Sequence, residues 1–224
     1  MSSKRFKKLP KNTKNLPSDT FENLLPLIKK NCTTKFDESV DLSFQINNKQ
    51  KKSEINIRTA VNLPGGTGKK VKVAVVCEEN KSQEAKDAGA DVVGGDEFVE
   101  KIKGGDLDFE KLICTPGMMV KLSKLGKILG PKGLMPNPKL GTVTPDVKAA
   151  VEAAKSGQVQ YRAEKTGIVQ AGIGKMSFGS DKLIENVNSF IEAIQKSRPS
   201  GAKGTFIKKI SISSTMGVGI NVNI

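Results

Sequence analysis

The segment 126–143, GKILGPKGLMPNPKLGTV, concentrates residues that could bind an anion. It holds four glycines, three prolines and three lysines, and it has no acidic residue. So many helix- and strand-breaking residues predict a surface loop. Its backbone N–H groups and its lysines, Lys132 among them, could bind phosphate. Its prolines could equally fix the shape of a structural loop, and the residues alone leave both interpretations open.

Two other glycine-rich segments come close to nucleotide-binding motifs without matching them. GGTGKK at 65–70 resembles a phosphate-binding loop, but Lys70 stands where that motif needs Ser or Thr, and a strand instead of a helix is predicted to follow. GAKG at 201–204 matches a G-x-x-G clamp for RNA, but it joins a predicted helix to a strand instead of joining two helices. We interpret the first as a hinge and the second as a turn whose Lys203 can still contact phosphate.

Residues for enzymatic chemistry are scarce. The chain has no histidine, which excludes Ser–His and Cys–His catalysis and the usual zinc sites. Its three cysteines, Cys32, Cys77 and Cys114, are far apart and odd in number, so we expect no disulfide framework and a reduced, cytoplasmic protein. No paired carboxylates sit in an apolar context, and Asp87, Asp91, Asp96 and Glu97 fall at predicted helix ends and turns. We therefore predict no catalytic residue, no metal site and no cofactor.

The charge of the chain indicates a polyanionic partner. The formal net charge is +14, from 37 basic and 23 acidic residues, and nucleic acid is the first candidate partner. An anionic membrane surface is the weaker alternative, because no long basic amphipathic helix and no apolar run of about 20 residues is present. The basic residues are nearly all lysine, which suits phosphates better than base edges. We therefore expect recognition of the backbone and shape of a nucleic acid.

The N-terminal part of the chain predicts an arm, a helix and two strands. Residues 1–17 carry six basic residues and no acid, as in a solvated arm or an arm that lies on phosphates. A helix capped by Ser18 or Asp19 follows. Residues 39–46 and 54–63 alternate apolar and polar side chains, which predicts two half-buried strands, and we expect them to pair antiparallel.

Beyond residue 66 the pattern changes to short apolar strands that alternate with helices. VKVAVVC, DVVGG and KLICT read as strands, with helices predicted at 96–103, after Pro116 and from Pro145, the last placed at the first helical position. This alternation is typical of an α/β domain with a parallel sheet. After Gly157, hairpin-like strands return with a helix at 181–196 and a final strand in GTFIKKISISS.

The α/β pattern therefore lies between two flanks of α+β pattern. The simplest organisation is a discontinuous α+β first domain, formed by residues 1–66 and 159–224, with an α/β second domain inserted at 67–158.

In the segment that begins at Gly126, the chain resembles a known family. GKILGPKGLMPNPKLGTVTPDV is similar to the signature of the L-one family of large-ribosomal-subunit proteins in its bacterial form. Further similar segments come in the family's order and with its spacing, from about residue 18 to 219. They are TKFDESVD at 34–41, NIRTAVNLPGGTGK at 56–69, AGADVVGGDEF at 88–98, EKTGIVQAGIGKMSF at 164–178, GAKGTFIKKI at 201–210 and STMGVG at 214–219.

The resemblance implies a fold and a function. The implied fold is a split β-α-β first domain built from both chain ends, with a Rossmann-like three-layer second domain on a flexible hinge. The implied protein is a non-enzymatic constituent of the large ribosomal subunit that binds rRNA directly at the mobile L-one stalk. Family members help deacylated tRNA to leave the exit site, and many bacterial members repress translation of their own operon mRNA. The chain would be a monomer when free, on cytoplasmic ribosomes and not on membranes.

The resemblance also implies an rRNA-binding surface. By motif it includes Lys35 and Phe36 after the first helix, and Thr215, Met216 and Gly217 near the C-terminus. The hydroxyls of neighbouring Ser213 and Ser214 could meet 2′-OH and phosphate groups, and the Phe and Met side chains could pack on a base or sugar. Secondary contacts are expected at Arg5, Arg58, Arg162, Lys165, Lys175, Lys203 and Lys132. A nucleotide-dependent enzyme using GGTGKK is the rival from another class.

Overall fold

The chain is a mixed α/β protein with several sheets. The structure is a computed structural model that describes residues 20–47, 57–105, 107–199 and 204–222. The chain divides into two compact units, one formed by residues up to Gly68 and from Val159 onward, and the other by Lys69–Gln158. Each unit has its own hydrophobic core. The basic arm with Arg5, and also Lys203, lie outside the described residues.

The described part of the first unit consists of a four-stranded antiparallel sheet, two helices and a two-stranded sheet. The helices are α1 (Phe21–Asn31) and α7 (Ser180–Lys196), and the strands are β1 (Ser39–Ile46), β2 (Arg58–Asn62), β6 (Gln158–Arg162), β7 (Ile168–Lys175), β8 (Ile207–Ser214) and β9 (Ile220–Val222). The four-stranded sheet has the order β7-β1-β8-β9, and β2 pairs with β6. The predicted helix at 181–196 is thus confirmed as α7.

The sequence of β1 explains how the core of the first unit forms. Its side chains alternate, so that Val40, Leu42 and Phe44 are buried while those between them face outward. The ring centroid of Phe44 lies 5.4 Å from that of Phe190 in α7, and the Tyr161 ring lies 5.1 Å from Phe190 on another side. α1 and α7 pack into this same cluster. One face of the sheet is therefore covered, and polar side chains occupy the other.

Helix α1 begins slightly later than predicted. Its N-cap is Thr20, not Ser18 or Asp19, and the Thr20 carbonyl accepts the N–H groups of Asn23 and Leu24 at 3.2 Å. The helix continues through Pro26, whose side chain is exposed. The backbone of Thr20, and not a capping side chain, therefore starts this helix.

The predicted pairing of β1 with β2 is wrong. Both edges of β1 are occupied in antiparallel register by β7 and β8. β2 instead pairs with β6, and most of its side chains are half-buried on both faces. The alternation of apolar residues identified β1 as a strand with one buried face, but it carried no information about the neighbouring strand.

The second unit is a parallel sheet between helices. Its elements are β3 (Val73–Val76), α2 (Glu79–Asp87), β4 (Val92–Gly94), α3 (Asp96–Lys103), β5 (Lys111–Cys114), α4 (Pro116–Ser123), α5 (Gly126–Leu129) and α6 (Val147–Lys155). The strand order is β4-β3-β5, and both pairings are parallel, as predicted. Along β3, Ala74 and Val76 join one core while Val73 and Val75 join another. A strand buried on both faces explains the continuous apolar run in its sequence.

The segment 126–143 is more ordered than a surface loop. It contains α5 and a short 3₁₀ helix, Pro138–Leu140, and it buries Leu129 and Leu140. Its three lysines are exposed. The apolar residues between the glycines and prolines therefore anchor the segment to the core, which supports the structural interpretation of its shape.

The start of α6 also differs from prediction. The first helical residue is Val147 and the N-cap is Asp146, whose carboxylate accepts the N–H of Ala149 at 3.3 Å. Pro145 therefore precedes the helix. The start of α6 is therefore determined by a capping carboxylate that accepts an otherwise unpaired backbone N–H group, and not by a proline at the first helical position.

The packing around Phe190 predicts a large loss of stability for Phe190→Ala. Because a cavity would remain between Phe44 and Tyr161, the free energy of unfolding of the first unit should fall by about 3–5 kcal/mol in urea denaturation. Asn188→Ala, at an exposed position of the same helix, is the matched control and should change it by less than about 0.5 kcal/mol. Equal losses from the two variants would contradict this packing.

Candidate RNA interface

The turn after β8 and the start of β1 are bonded to each other. The N–H of Thr215 donates to the carbonyl of Ser39 at 3.1 Å. In return, the N–H of Ser39 donates to the Thr215 hydroxyl oxygen at 2.9 Å. The β1–β8 pairing, with Val40 opposite Ser214, sets this contact. The C-terminal TMG turn and the residues after α1 are thus brought to the same end of the sheet, although they are far apart in sequence.

Two apolar side chains are exposed at this end of the sheet. Phe36 is 55% exposed and Met216 is 48% exposed, and the other exposed large hydrophobic side chains among the described residues are Val92 and Val120 in the second unit. Lys35, next to Phe36, is also exposed. A ring and a thioether beside a cation can pack on bases or sugars while the cation meets phosphate.

The three remaining members of the predicted surface have different positions. Ser213 is partly exposed on the outer face of the sheet, opposite Asp41. Gly217 closes the turn by donating its N–H to the carbonyl of Ser214 at 3.1 Å. Ser214 is buried, and its hydroxyl lies directly beneath Gly217. The expectation that the Ser214 hydroxyl faces a partner is therefore not met, because its side chain points away from the surface.

The outer face of the sheet forms an open polar groove next to this turn. Its volume is ≈ 490 Å³, and its lining includes Asp41, Ser43, Gln170, Gly172 and Ser213. The polar side chains of this groove are mostly short, and Leu42 and Ala171 complete its lining. A nucleic-acid backbone could therefore approach the strands closely and meet hydroxyl, amide and carboxylate groups.

The predicted secondary contacts are spread over the chain. Of these, Lys175 joins the surface, because its ammonium donates to the Ser39 hydroxyl at 3.0 Å. Arg58 and Arg162 belong to the β2–β6 pair. Lys165 lies before β7, at the opposite end of that strand from Lys175, and the strand itself spans about 23 Å at roughly 3.3 Å per residue. Lys132 is in the second unit.

Comparison with known proteins identifies the family of this chain. Residues 28–218 match the model of the "Ribosomal protein L1p/L10e family". The chain belongs to this family. The "Large ribosomal subunit protein uL1" of Pelagibacter ubique (strain HTCC1062) is 64% identical over 225 residues, covering 100% of this chain and 98% of that protein. As a member of the L1p/L10e family, the chain is a structural protein and not an enzyme.

Sequence reasoning missed the residues whose hydrogen bonds hold the candidate surface together. Asp37 accepts the N–H and the hydroxyl of Ser177 at 3.1 and 2.8 Å, and Lys29 donates to the Phe178 carbonyl at 2.8 Å. Glu38 is 1% exposed and accepts hydrogen bonds from Thr34 and Met216. The sequence pattern of β1 could have identified Glu38. Glu38 lies two residues before the inward-facing Val40, so its side chain should point to the same face of the sheet. A carboxylate on that face is predicted to be buried and hydrogen-bonded.

The GGTGKK segment is hydrogen-bonded to a buried side chain, and its role as a hinge stays a prediction. Gly65 donates its N–H to the Asn186 amide oxygen at 2.8 Å, and the Asn186 amide nitrogen donates to the carbonyls of Gly66 and Ile173 at 3.0 and 2.7 Å. The segment runs from β2 to β3, so no helix N-terminus follows it. Its glycines therefore fit against a buried side chain and do not form a phosphate loop.

The second unit offers an acidic groove at the carboxyl ends of its parallel strands. Glu78, Glu79, Asp96 and Glu97 line it, and its Lys121 ammonium lies 2.6 Å from Asp96. Four carboxylates disfavour a phosphate ligand.

Among the described residues, no group of three or more acidic or cysteine side chains could hold a metal ion, and no helix there is long and apolar enough to cross a bilayer.

The cysteine side chains are mostly buried. All three are free, with Cys77 and Cys114 buried and Cys32 half-buried. Burial raises the pKa of the Cys114 thiol to about 11, so this group is protonated at neutral pH.

One carboxylate of the groove should make stability depend on pH. Partial burial raises the pKa of Asp41 above its ordinary value of 3.8, although the nearby Lys175 ammonium opposes this. The charged form is thus disfavoured in the folded state, and this cost is fully present above the folded pKa and absent below the unfolded value.

Asp41→Asn should therefore stabilise the protein at pH 7. We expect a higher thermal midpoint for the variant at pH 7, with the difference shrinking as the pH falls toward 3.8, measured by calorimetry across a pH series. Glu185→Gln, at an exposed carboxylate of α7, controls for the loss of one charge. A constant difference at every pH would rule out this origin.

The contact between Gly217 and Ser214 predicts a coupled pair of mutations. A side chain at Gly217 would collide with the Ser214 hydroxyl, so Gly217→Ala should cost about 1–3 kcal/mol of unfolding free energy. Ser214→Ala should be nearly neutral, because that hydroxyl has no hydrogen-bond partner among the described residues. The double variant should recover to within about 0.5 kcal/mol of wild type in a double-mutant cycle. Simple additivity would contradict the contact.

Proposed function

We propose that this protein is a constituent of the large ribosomal subunit and binds large-subunit rRNA directly. The surface consists of Lys35, Phe36, Ser213, Thr215 and Met216, with the adjoining polar groove. One observation carries the proposal: β1 and β8 bring an exposed ring and an exposed thioether to one end of a polar sheet face. The net charge of +14 and the name of the 64% identical relative support it.

The mechanism is recognition of a folded RNA by shape. The Thr215 backbone and side chain are fixed by their bonds to Ser39, so little conformational freedom remains to be lost on binding. The short side chains of the groove suit the wide minor groove of RNA and its 2′-hydroxyls. Lysines such as Lys35 displace condensed counterions, and this supplies much of the affinity without reading sequence.

The two units take the roles of two domains in this proposal. The first, discontinuous unit is a split β-α-β domain that carries the main RNA contact. The second is an inserted Rossmann-like domain, supported by its parallel β4-β3-β5 sheet with a core on each face. The segment around Gly66 and Gly68, both with φ near +70°, forms the flexible hinge.

Family membership extends the proposal beyond rRNA. We infer that the protein belongs to the L-one stalk and helps deacylated tRNA to leave the exit site. A fold in its own operon mRNA that resembles the rRNA site would bind the same surface, and the protein would then repress its own translation. It acts as a monomer when free and works on the ribosome. The match to the L1p/L10e family over residues 28–218 supports these roles.

Binding to a large-subunit rRNA stalk fragment tests the proposal. The dissociation constant should rise steeply with salt concentration, because counterions are released on binding. Met216→Asp should weaken binding at least about 30-fold, as expected for a central contact. Val120→Asp, at an exposed apolar residue of α4, is the matched control and should bind like wild type. Lys132→Ala should weaken binding by no more than about threefold.

Two results would contradict the proposal. Equal losses from Met216→Asp and Val120→Asp would show that the surface is placed wrongly. Salt-independent binding to the fragment would contradict phosphate recognition by the lysines, and tight binding of ATP would contradict the reading of GGTGKK as a segment without nucleotide binding.

A further inference from the structure

The one acidic side chain buried at this end of the first unit is Glu38, among the residues that the structure describes. It is 1% exposed, and it lies directly before β1. A buried carboxylate is costly unless hydrogen bonds satisfy it. Its retention beneath a surface that should attract phosphate therefore calls for a specific reason.

The two oxygens of Glu38 are bonded to two different segments of the surface. One oxygen accepts the hydroxyl of Thr34 at 2.7 Å, and the other accepts the backbone N–H of Met216 at 3.1 Å. Thr34 and Met216 are far apart in sequence. Thr34 lies two residues before the exposed Phe36, and the side chain of Met216 is itself exposed. The carboxylate is thus a bridge between the Phe36 segment and the TMG turn.

Glu38 also fixes a third segment through its main chain. Its carbonyl accepts the N–H of Met176 at 2.8 Å, just beyond β7. The side chain and backbone of one residue therefore connect the ends of β1, β7 and β8. Met216 and Phe36 are about half exposed, so packing covers them only in part, and the hydrogen bonds beneath them add to what fixes their position.

We propose that Glu38 is the positioning residue of the RNA-binding surface. Its buried carboxylate holds the Phe36 segment and the Met216 turn in one arrangement before RNA binds, and this inference rests on the proposed function. The carboxylate does not touch RNA. Its contribution is preorganisation: without it the two segments would have to be ordered at the moment of binding.

Glutamine and alanine at position 38 separate the bonding role of the side chain from its charge. In Glu38→Gln the amide oxygen can accept the Met216 N–H, while the amide nitrogen donates to the Thr34 hydroxyl. That hydroxyl can then donate to the Phe36 carbonyl, which lies 3.1 Å away. Both connections survive in the glutamine variant, and both are lost in Glu38→Ala.

The experiment measures the affinity of wild type and variants for the rRNA stalk fragment, together with amide hydrogen exchange at Met216. Glu38→Ala should weaken binding about tenfold or more, the effect of losing a hydrogen bond to a charged group, and should speed exchange at Met216. Glu38→Gln should stay within about threefold of wild type in both readouts. Ile194→Val, a buried change at the far end of α7, lowers stability without touching the surface and should leave affinity unchanged.

Each result decides between the two proposals. If wild type binds and Glu38→Ala binds equally well, the positioning role is overturned and the proposed function stands. If Glu38→Gln loses as much affinity as Glu38→Ala, the hydrogen-bond geometry is not what Glu38 supplies, and the inference is overturned. If wild type does not bind the fragment, the proposed function fails and the inference falls with it.

A second variant covers the case in which Glu38→Ala does not fold. Thr34→Val removes one partner of the carboxylate and leaves its bond to Met216. This variant should weaken RNA binding several-fold, while wild-type affinity for Thr34→Val would overturn the bridge between the two segments.

Discussion

The structure of the first unit depends on the pairing of β1 along both of its edges. β7 on one side and β8 on the other fix its register, and a slip of one residue would move every apolar side chain to the outer face. The inward side chains, from Val40 to Ile46, pack with α7 around Phe190. The same alternation leaves Asp41 and Ser43 on the outer face. Core and candidate surface are therefore two consequences of one constraint.

Hydrogen bonds between the ends of β1 and β8 fix the shape of the candidate surface. Ladder bonding continues past the last residue of β8, since Thr215 is bonded to Ser39 as if the sheet went on. Beyond that point the chain turns sharply, and Gly217 passes over Ser214 too closely for a side chain. The Met216 N–H, which has passed beyond the paired strands, donates instead to the carboxylate of Glu38. The turn thus gains order from polar bonds, while the Met216 side chain stays exposed.

The elements with strong periodicity were predictable from sequence, and their partners were not. The alternation in β1, the continuous apolar run in β3 and the helical spacing in α7 each gave the correct element, because burial imposes a period on the chain. Pairing of β1 with β7 and β8 is a long-range property that the alternation does not encode. The resemblance to the family located Phe36 and Met216, whereas the supporting roles of Asp37 and Asn186 depend on contacts between distant segments that no local pattern reveals.

The distribution of charge explains why, in the proposed function, a lysine-rich protein needs a defined polar surface. Lysine attraction to phosphate is long-ranged and does not distinguish one RNA from another. The groove, by contrast, contains serines, a glutamine and a raised-pKa carboxyl at Asp41, none of which adds positive charge. These groups favour only an RNA whose backbone and hydroxyls fit them, because an imperfect fit leaves them desolvated and unpaired. In the proposed function, attraction therefore comes from the lysines, and selection comes from the polar sheet face and the two apolar side chains beside it.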